Sequence, residues 1–105
     1  MKMIFTVVDD KDADKVMTAL TEQRIGVTRI SSTGDLIAPG NSTLLIGVDE
    51  IHVPQAMRVI NDLAARRQSF VPYAYDGSIP LTTLTEVPVG GFLSFVLNVD
   101  HFEQV

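Results

Sequence analysis

The spacing of apolar residues changes along the chain in a way that predicts six elements. Met3 to Val8 is a run of apolar and β-forming residues stopped by Asp9 and Asp10, as expected of a buried strand. Then the period lengthens: Ala13, Val16, Met17 and Leu20 recur at i, i+3, i+4 and i+7, one face of a helix. Asp10 or Asp12 is placed to cap its amino end, Arg24 falls in its last turn, and Gly26 is placed to end it in a left-handed conformation. Val27 to Ser32 is rich in β-branched residues and reads as a second strand, and Ser42 to Val48, centred on Leu44-Leu45-Ile46, as a third. Val53, Ala56, Met57, Ile60, Leu63 and Ala64 trace a second helix, with Pro54 in its first turn and Arg66-Arg67 closing it. Phe92 to Val99, after Gly90-Gly91, is the last strand.

Two stretches break the period. Thr33 to Asn41 holds two glycines and a proline and reads as a loop. Residues 68–88 carry three prolines and no sustained pattern, and read as a long loop of the kind that usually has a function in a compact domain. The order strand, helix, strand, strand, helix, strand predicts one α+β domain spanning residues 1–105. Its arrangement is the ferredoxin-like one, an antiparallel four-stranded sheet with two helices on one face.

The second face of such a sheet should be polar if water covers it, with strict alternation along every strand. Instead Ile4, Phe5, Val7 and Val8 fill both parities of the first strand. Leu93, Phe95, Leu97 and Val99 make one face of the last strand wholly apolar. Exposed apolar patches on monomers rarely exceed a few hundred Å². With no spare helix, the expected cover is another copy of the chain.

Composition narrows the function. Eight basic against thirteen acidic residues give a net charge of −5, which argues against a general nucleic-acid binder but leaves room for a local anion site. The absence of cysteine excludes disulfides, thiolate metal sites and thiol catalysis, and fits a reducing, cytoplasmic setting. Apolar runs are too short for a secretion signal or a membrane span, so neither export nor membrane insertion is expected. His52 and His101 lack ligand-spaced partners, and Asp9, Asp10, Asp12 and Asp14 lack the glycine and closing Glu of a calcium loop. The acidic cluster therefore reads as a capping and solvating run. No nucleophile–base pair emerges, and no catalytic residue, metal or cofactor is expected.

Candidate binding chemistry gathers around Thr28-Arg29, Thr33-Gly34 and Gly40-Asn41-Ser42-Thr43. Glycines let backbone N–H groups approach a phosphate or base, and Asn, Ser and Thr add short donors and acceptors. The same residues also suit an ordinary strand connection turning at Pro39-Gly40. Gly90-Gly91 reads as a bulge or as an uncluttered binding surface. Tyr73 and Tyr75 could stack on a base or pack on the domain edge, and Arg66-Arg67 could meet an anion or a helix end.

Three blocks of residues resemble the PII-like cyclic-di-AMP receptors, the PstA/DarA family. They are Met1-Lys2-Met3-Ile4 with Val8 and Asp10; then Thr28, Ile30, Thr33-Gly34, Gly40-Asn41-Ser42-Thr43 and Gly47-Val48; then Val87, Val89-Gly90-Gly91, Phe95-Val96, Val99, Phe102 and Gln104. The resemblance implies a ferredoxin-like subunit, a homotrimer with sheets facing inward, and a small nucleotide at the subunit clefts. It also implies a non-enzymatic signal receptor whose loops rearrange to address a downstream protein partner. By residue match Thr28, Asn41 and Gly47 would contact ligand, Leu36 and Ile37 would flank a base, and Gly34, Ser42, Arg29, Gly90 and Gly91 would lie at the same site.

Three positions depart from the family pattern. Gly26 stands where Arg is usual and brings no charge to a phosphate, leaving Arg24 or Arg29 to supply it. Asp35 replaces a glycine; a carboxylate ~4 Å from an anionic ligand costs at most about 4 kcal/mol at an effective dielectric of 20. Leu36 replaces an aromatic residue and forgoes roughly 1–3 kcal/mol of base stacking. Cyclic di-AMP is the first candidate ligand, and ATP or ADP the second. A PII-like trimer that has lost cyclic-di-AMP binding and acts as an adaptor is the alternative. A dimeric α+β-barrel enzyme would share the topology but needs a polar interior constellation that these apolar faces do not offer.

Overall fold

The computed structural model describes residues 1–30, 40–72 and 84–105. Its elements are β1 (Lys2–Asp9), α1 (Asp10–Glu22), β2 (Gly26–Ile30), β3 (Asn41–Val48), a 3₁₀ turn (Glu50–His52), α2 (Val53–Ala64), β4 (Arg67–Pro72), β5 (Leu84–Val89) and β6 (Phe92–Asn98). Four strands form an antiparallel sheet in the order β2-β3-β1-β6, the ferredoxin-like arrangement expected from the element order.

Parity along the strands decides which side is core. Ile4 and Val8 of β1 and Leu44, Ile46 and Val48 of β3 point the same way and are buried. They pack against Ala13, Val16 and Leu20 of α1 and Ala56, Ile60 and Ala64 of α2. Thr6 lies on this inner face fully buried, and its hydroxyl is satisfied by the Ser94 hydroxyl at 2.6 Å across β1 and β6. The other face carries rows of paired residues: Gly26, Gly47, Met3 and Leu97; Thr28, Leu45, Phe5 and Phe95; Ile30, Thr43, Val7 and Leu93. Leu93, Phe95 and Leu97 are about half exposed on it. The apolar, helix-free face predicted from the strand pattern is therefore present.

Local detail departs from the sequence reading in three places. First, the α1 cap is Asp9, whose side chain accepts the Lys11 N–H at 2.8 Å, and not Asp10 or Asp12. Asp12 is no solvating residue: it is buried beneath Arg67 and Lys15.

Second, Gly26 does not terminate α1. Arg24 takes the left-handed conformation (φ 61°), its N–H donating to the Thr21 carbonyl and the Ile25 N–H to the Leu20 carbonyl, both at 2.9 Å. That double bond is a Schellman stop, fixed by the apolar packing of Ile25 and Leu20 in one core cluster. Gly26 is already the first residue of β2.

Third, the stretch read as a loop over residues 68–88 begins and ends in strands. β4 and β5 pair antiparallel from Arg67↔Val89 to Pro72↔Leu84 as a separate two-stranded ribbon. Accordingly α2 stops at Ala64, and Arg67 opens the ribbon instead of closing the helix. The root of the ribbon is bolted to the core. Gly91 N–H donates to the Ala64 carbonyl at 2.7 Å, and the Arg67 guanidinium forks onto Asp12 at 2.7 and 3.3 Å. Burial alone would raise the Asp12 pKa, but hydrogen bonds from Arg67 and Lys15 outweigh it and hold the carboxyl below its ordinary value. The same hydrogen bond raises the pKa of Arg67.

Candidate ligand-binding site

Gly26 and Gly47 face each other across β2 and β3, and a Cβ built on either would meet no atom within 4 Å. The open sheet face therefore carries a patch of bare main chain. Met3, the exposed Thr28 and the tail residues Phe102 and Gln104 border it in a groove of about 670 Å³. That volume lies within the range of small-molecule sites. A floor without side chains lets a flat heteroaromatic ring approach the peptide planes, and the Thr28 hydroxyl can donate or accept at its edge.

A second groove, of about 540 Å³, lies where β3 and β6 begin. Asn41, Gly90 and Gly91 line it with Asn61 and Arg66. Gly90 and Gly91 both have left-handed backbones (φ 77° and 98°), which explains the pair: L side chains rarely adopt that conformation. Asn41 and Gly47 stand at opposite ends of one strand, ~20 Å apart at about 3.4 Å per residue. The structure thus joins Thr28 to Gly47, and Asn41 to Gly90 and Gly91, but keeps the two sets apart on one chain.

Arg29 and Ser42 line neither groove. The Arg29 guanidinium donates to the Ser42 hydroxyl at 2.8 Å and to Asp14 at 3.1 Å, and lies 3.6 Å from Asp10, to which Ser42 in turn donates. Its charge is met by two carboxylates. Gly34, Asp35, Leu36 and Ile37, with Tyr73 and Tyr75, lie outside the described residues. Sequence reasoning missed Gly26 as part of the floor, because only the β2–β3 register sets it opposite Gly47. It also missed Asn61, whose partners in the groove come from distant segments.

The chain matches the family described as cyclic-di-AMP receptor over residues 1–105. It belongs to the cyclic-di-AMP receptor family. Membership supports a cyclic-di-AMP-binding signal protein with a small nucleotide as its ligand. A similar solved structure is the crystal structure of a functionally unknown protein from Pediococcus pentosaceus ATCC 25745. It has 31% sequence identity and a TM-score of 0.81, with 99% of this chain and 96% of that one covered. This receptor-family chain thus shares its α+β fold with a protein matched over nearly its whole length. Among the described residues, no helix is long and apolar enough to cross a membrane.

Proposed function

We propose that this chain is a PII-like, non-enzymatic receptor that forms a homotrimer in the cytoplasm and holds cyclic di-AMP in clefts between its subunits. The observation that carries the reading is the bare Gly26–Gly47 floor beside Thr28, a flat main-chain surface suited to an adenine ring. Asn41 with Gly90 and Gly91 forms the second recognition cluster. A closed ring of copies brings unlike surfaces into contact, and so lets clusters that are distant on one chain meet across an interface. The half-exposed Leu93, Phe95 and Leu97 supply apolar surface for that assembly. Bound nucleotide then favours one arrangement of the β4–β5 ribbon and alters the surface offered to a protein partner.

The second reading is a trimer that has lost cyclic di-AMP and serves as an adaptor or takes ATP or ADP. It draws on Gly26, which gives the floor no charge, and on Arg29, already engaged by Asp10 and Asp14. A nucleotide panel decides between them. Ligand at a hundred times its Kd stabilises a site by ~2.7 kcal/mol, so cyclic di-AMP should raise Tm by several degrees and ATP or ADP should not. A shift with ATP or ADP alone would establish the second reading, and mass by analytical ultracentrifugation tests the trimer.

A further inference from the structure

Ala65 and Arg66 join α2 to β4, and Gly90 and Gly91 join β5 to β6. All four line the same groove, the one that also holds Asn41. Both hinges of the β4–β5 ribbon are therefore walls of a candidate ligand site. Among the described residues the strands of the ribbon pair only with each other. The pose of the ribbon thus depends on its root, and the shape of the groove depends on the same root.

Three contacts fix that root. The Gly91 N–H donates to the Ala64 carbonyl at 2.7 Å, tying the outgoing hinge to the end of α2. Arg67 Nη1 donates to the Ala65 carbonyl at 3.2 Å, within the incoming hinge. The third contact is the fork of the Arg67 guanidinium onto buried Asp12, and it carries the root across to α1. Asp12 does not need Arg67 in order to be paired, because Lys15 Nζ stands 3.1 Å from the same carboxylate within α1. The fork therefore does more than neutralise a buried charge: it sets where β4 begins. We infer that Arg67 is the positioning residue of this groove: gripped by Asp12, it holds the ribbon in the pose in which Ala65, Arg66, Gly90 and Gly91 form the wall. The inference rests on the proposed nucleotide site and assigns the link between that site and the ribbon to a residue that lines neither groove. A nucleotide that needs this wall binds the pinned pose, and by linkage it must stabilise that pose.

Hydrogen exchange and calorimetric titration with cyclic di-AMP, both on the full chain, test it in Arg67→Gln, Asp12→Asn and Arg58→Gln. Arg58 is an exposed residue of α2 that lines neither groove and controls for the loss of a charge. In ligand-free Arg67→Gln the amides of β4 and β5 should exchange faster, while those of β1 and β3 keep their protection because Lys15 still pairs Asp12. Affinity should fall by about 5-fold or more, since a competent pose that is only partly populated lowers apparent affinity in proportion. Saturating cyclic di-AMP should then slow exchange in β4 and β5 back towards that of the parent chain. A ribbon that had simply frayed away from the site would show no such recovery. Asp12→Asn keeps the shape of the buried side chain and should act in the same direction to a smaller degree; Arg58→Gln should match the parent chain. Parent-like affinity in an Arg67→Gln chain whose ribbon exchanges faster would overturn the inference and leave the nucleotide site standing. Unchanged exchange in the ribbon would overturn it as well. Equal acceleration in β1 and β3 in both Arg67→Gln and Asp12→Asn would make the pair a support of the whole fold, and overturn it too. If the unmutated chain bound no cyclic di-AMP, the nucleotide site and this inference would fall together.

Discussion

The guanidinium of Arg67 occupies the space that a side chain at position 90 would need: a Cβ on Gly90 would stand 2.5 Å from Nη1 and 2.9 Å from the Ala65 carbonyl oxygen. Arg67 cannot swing aside freely, because Asp12 holds both of its terminal nitrogens. Position 90 also has a left-handed backbone. Gly90→Ala should therefore cost at least ~1–2 kcal/mol from backbone strain alone, and more from displacing Arg67. The check is a double-mutant cycle in urea melts. Arg67→Ala removes the clash with Nη1 and leaves the one with the Ala65 carbonyl, so the pair should lose less stability than the sum of the single changes. Strict additivity would mean that the two residues do not share this space.

Acid should loosen the same bolt. The Asp12 carboxyl is held below its ordinary 3.8 in the folded chain, so folding favours its charged form. The stability it lends is full above the unfolded value, begins to fade near pH 3.8, and is lost as pH falls through the lower folded value. Thermal melts of the parent chain and Asp12→Asn should differ most at neutral pH and converge as pH falls below 3.8. A gap that stayed constant over that range would rule out the ion pair as its source.

Filling the glycine floor should separate binding from folding. Gly47→Val places a β-branched side chain in open space on a strand, where it fits the pleat, so Tm should hold or rise. Binding of cyclic di-AMP should drop below detection, since the side chain would stand where the base lies. Undiminished affinity in this variant would remove the floor from the site.

Charge on the uncovered face should break the assembly. Phe95 is half exposed and pairs with Phe5 in the central row of that face. Phe95→Lys would bury an ammonium between copies if they pack there, a strongly unfavourable exchange. Sedimentation at micromolar concentration should show trimer for the parent chain and monomer for the variant. An unchanged mass would place the contact elsewhere.

The sheet and both helices were legible because each buries one face, and burial writes a period into the residues. Val16 and Leu20, or Leu44 and Ile46, are apolar at the intervals that the core requires. The ribbon left no such mark. It pairs apart from the main sheet, and Pro72 and Pro88 fall inside its strands, where proline argues against the assignment. At the end of α1, Gly26 drew attention by residue type, yet the packing of Ile25 with Leu20 set the turn two residues earlier. Thr28, Asn41 and Gly47 could be matched one by one. That Thr28 meets Gly26 and Gly47 at one end of β3, with Asn41 at the other, depends on a strand register that spacing alone does not fix. The engagement of Arg29 with Asp10 and Asp14 likewise appears only once β2 lies beside α1.

A binding surface paved with peptide groups has an evolutionary consequence. The paving at Gly26 and Gly47 has no side-chain chemistry to retune; substitution there can only obstruct. Drift in ligand preference must then come from the border, at residues such as Thr28 and Gln104, while the surface beneath stays generic. Descendants of such a protein would change what they sense without altering where they sense it.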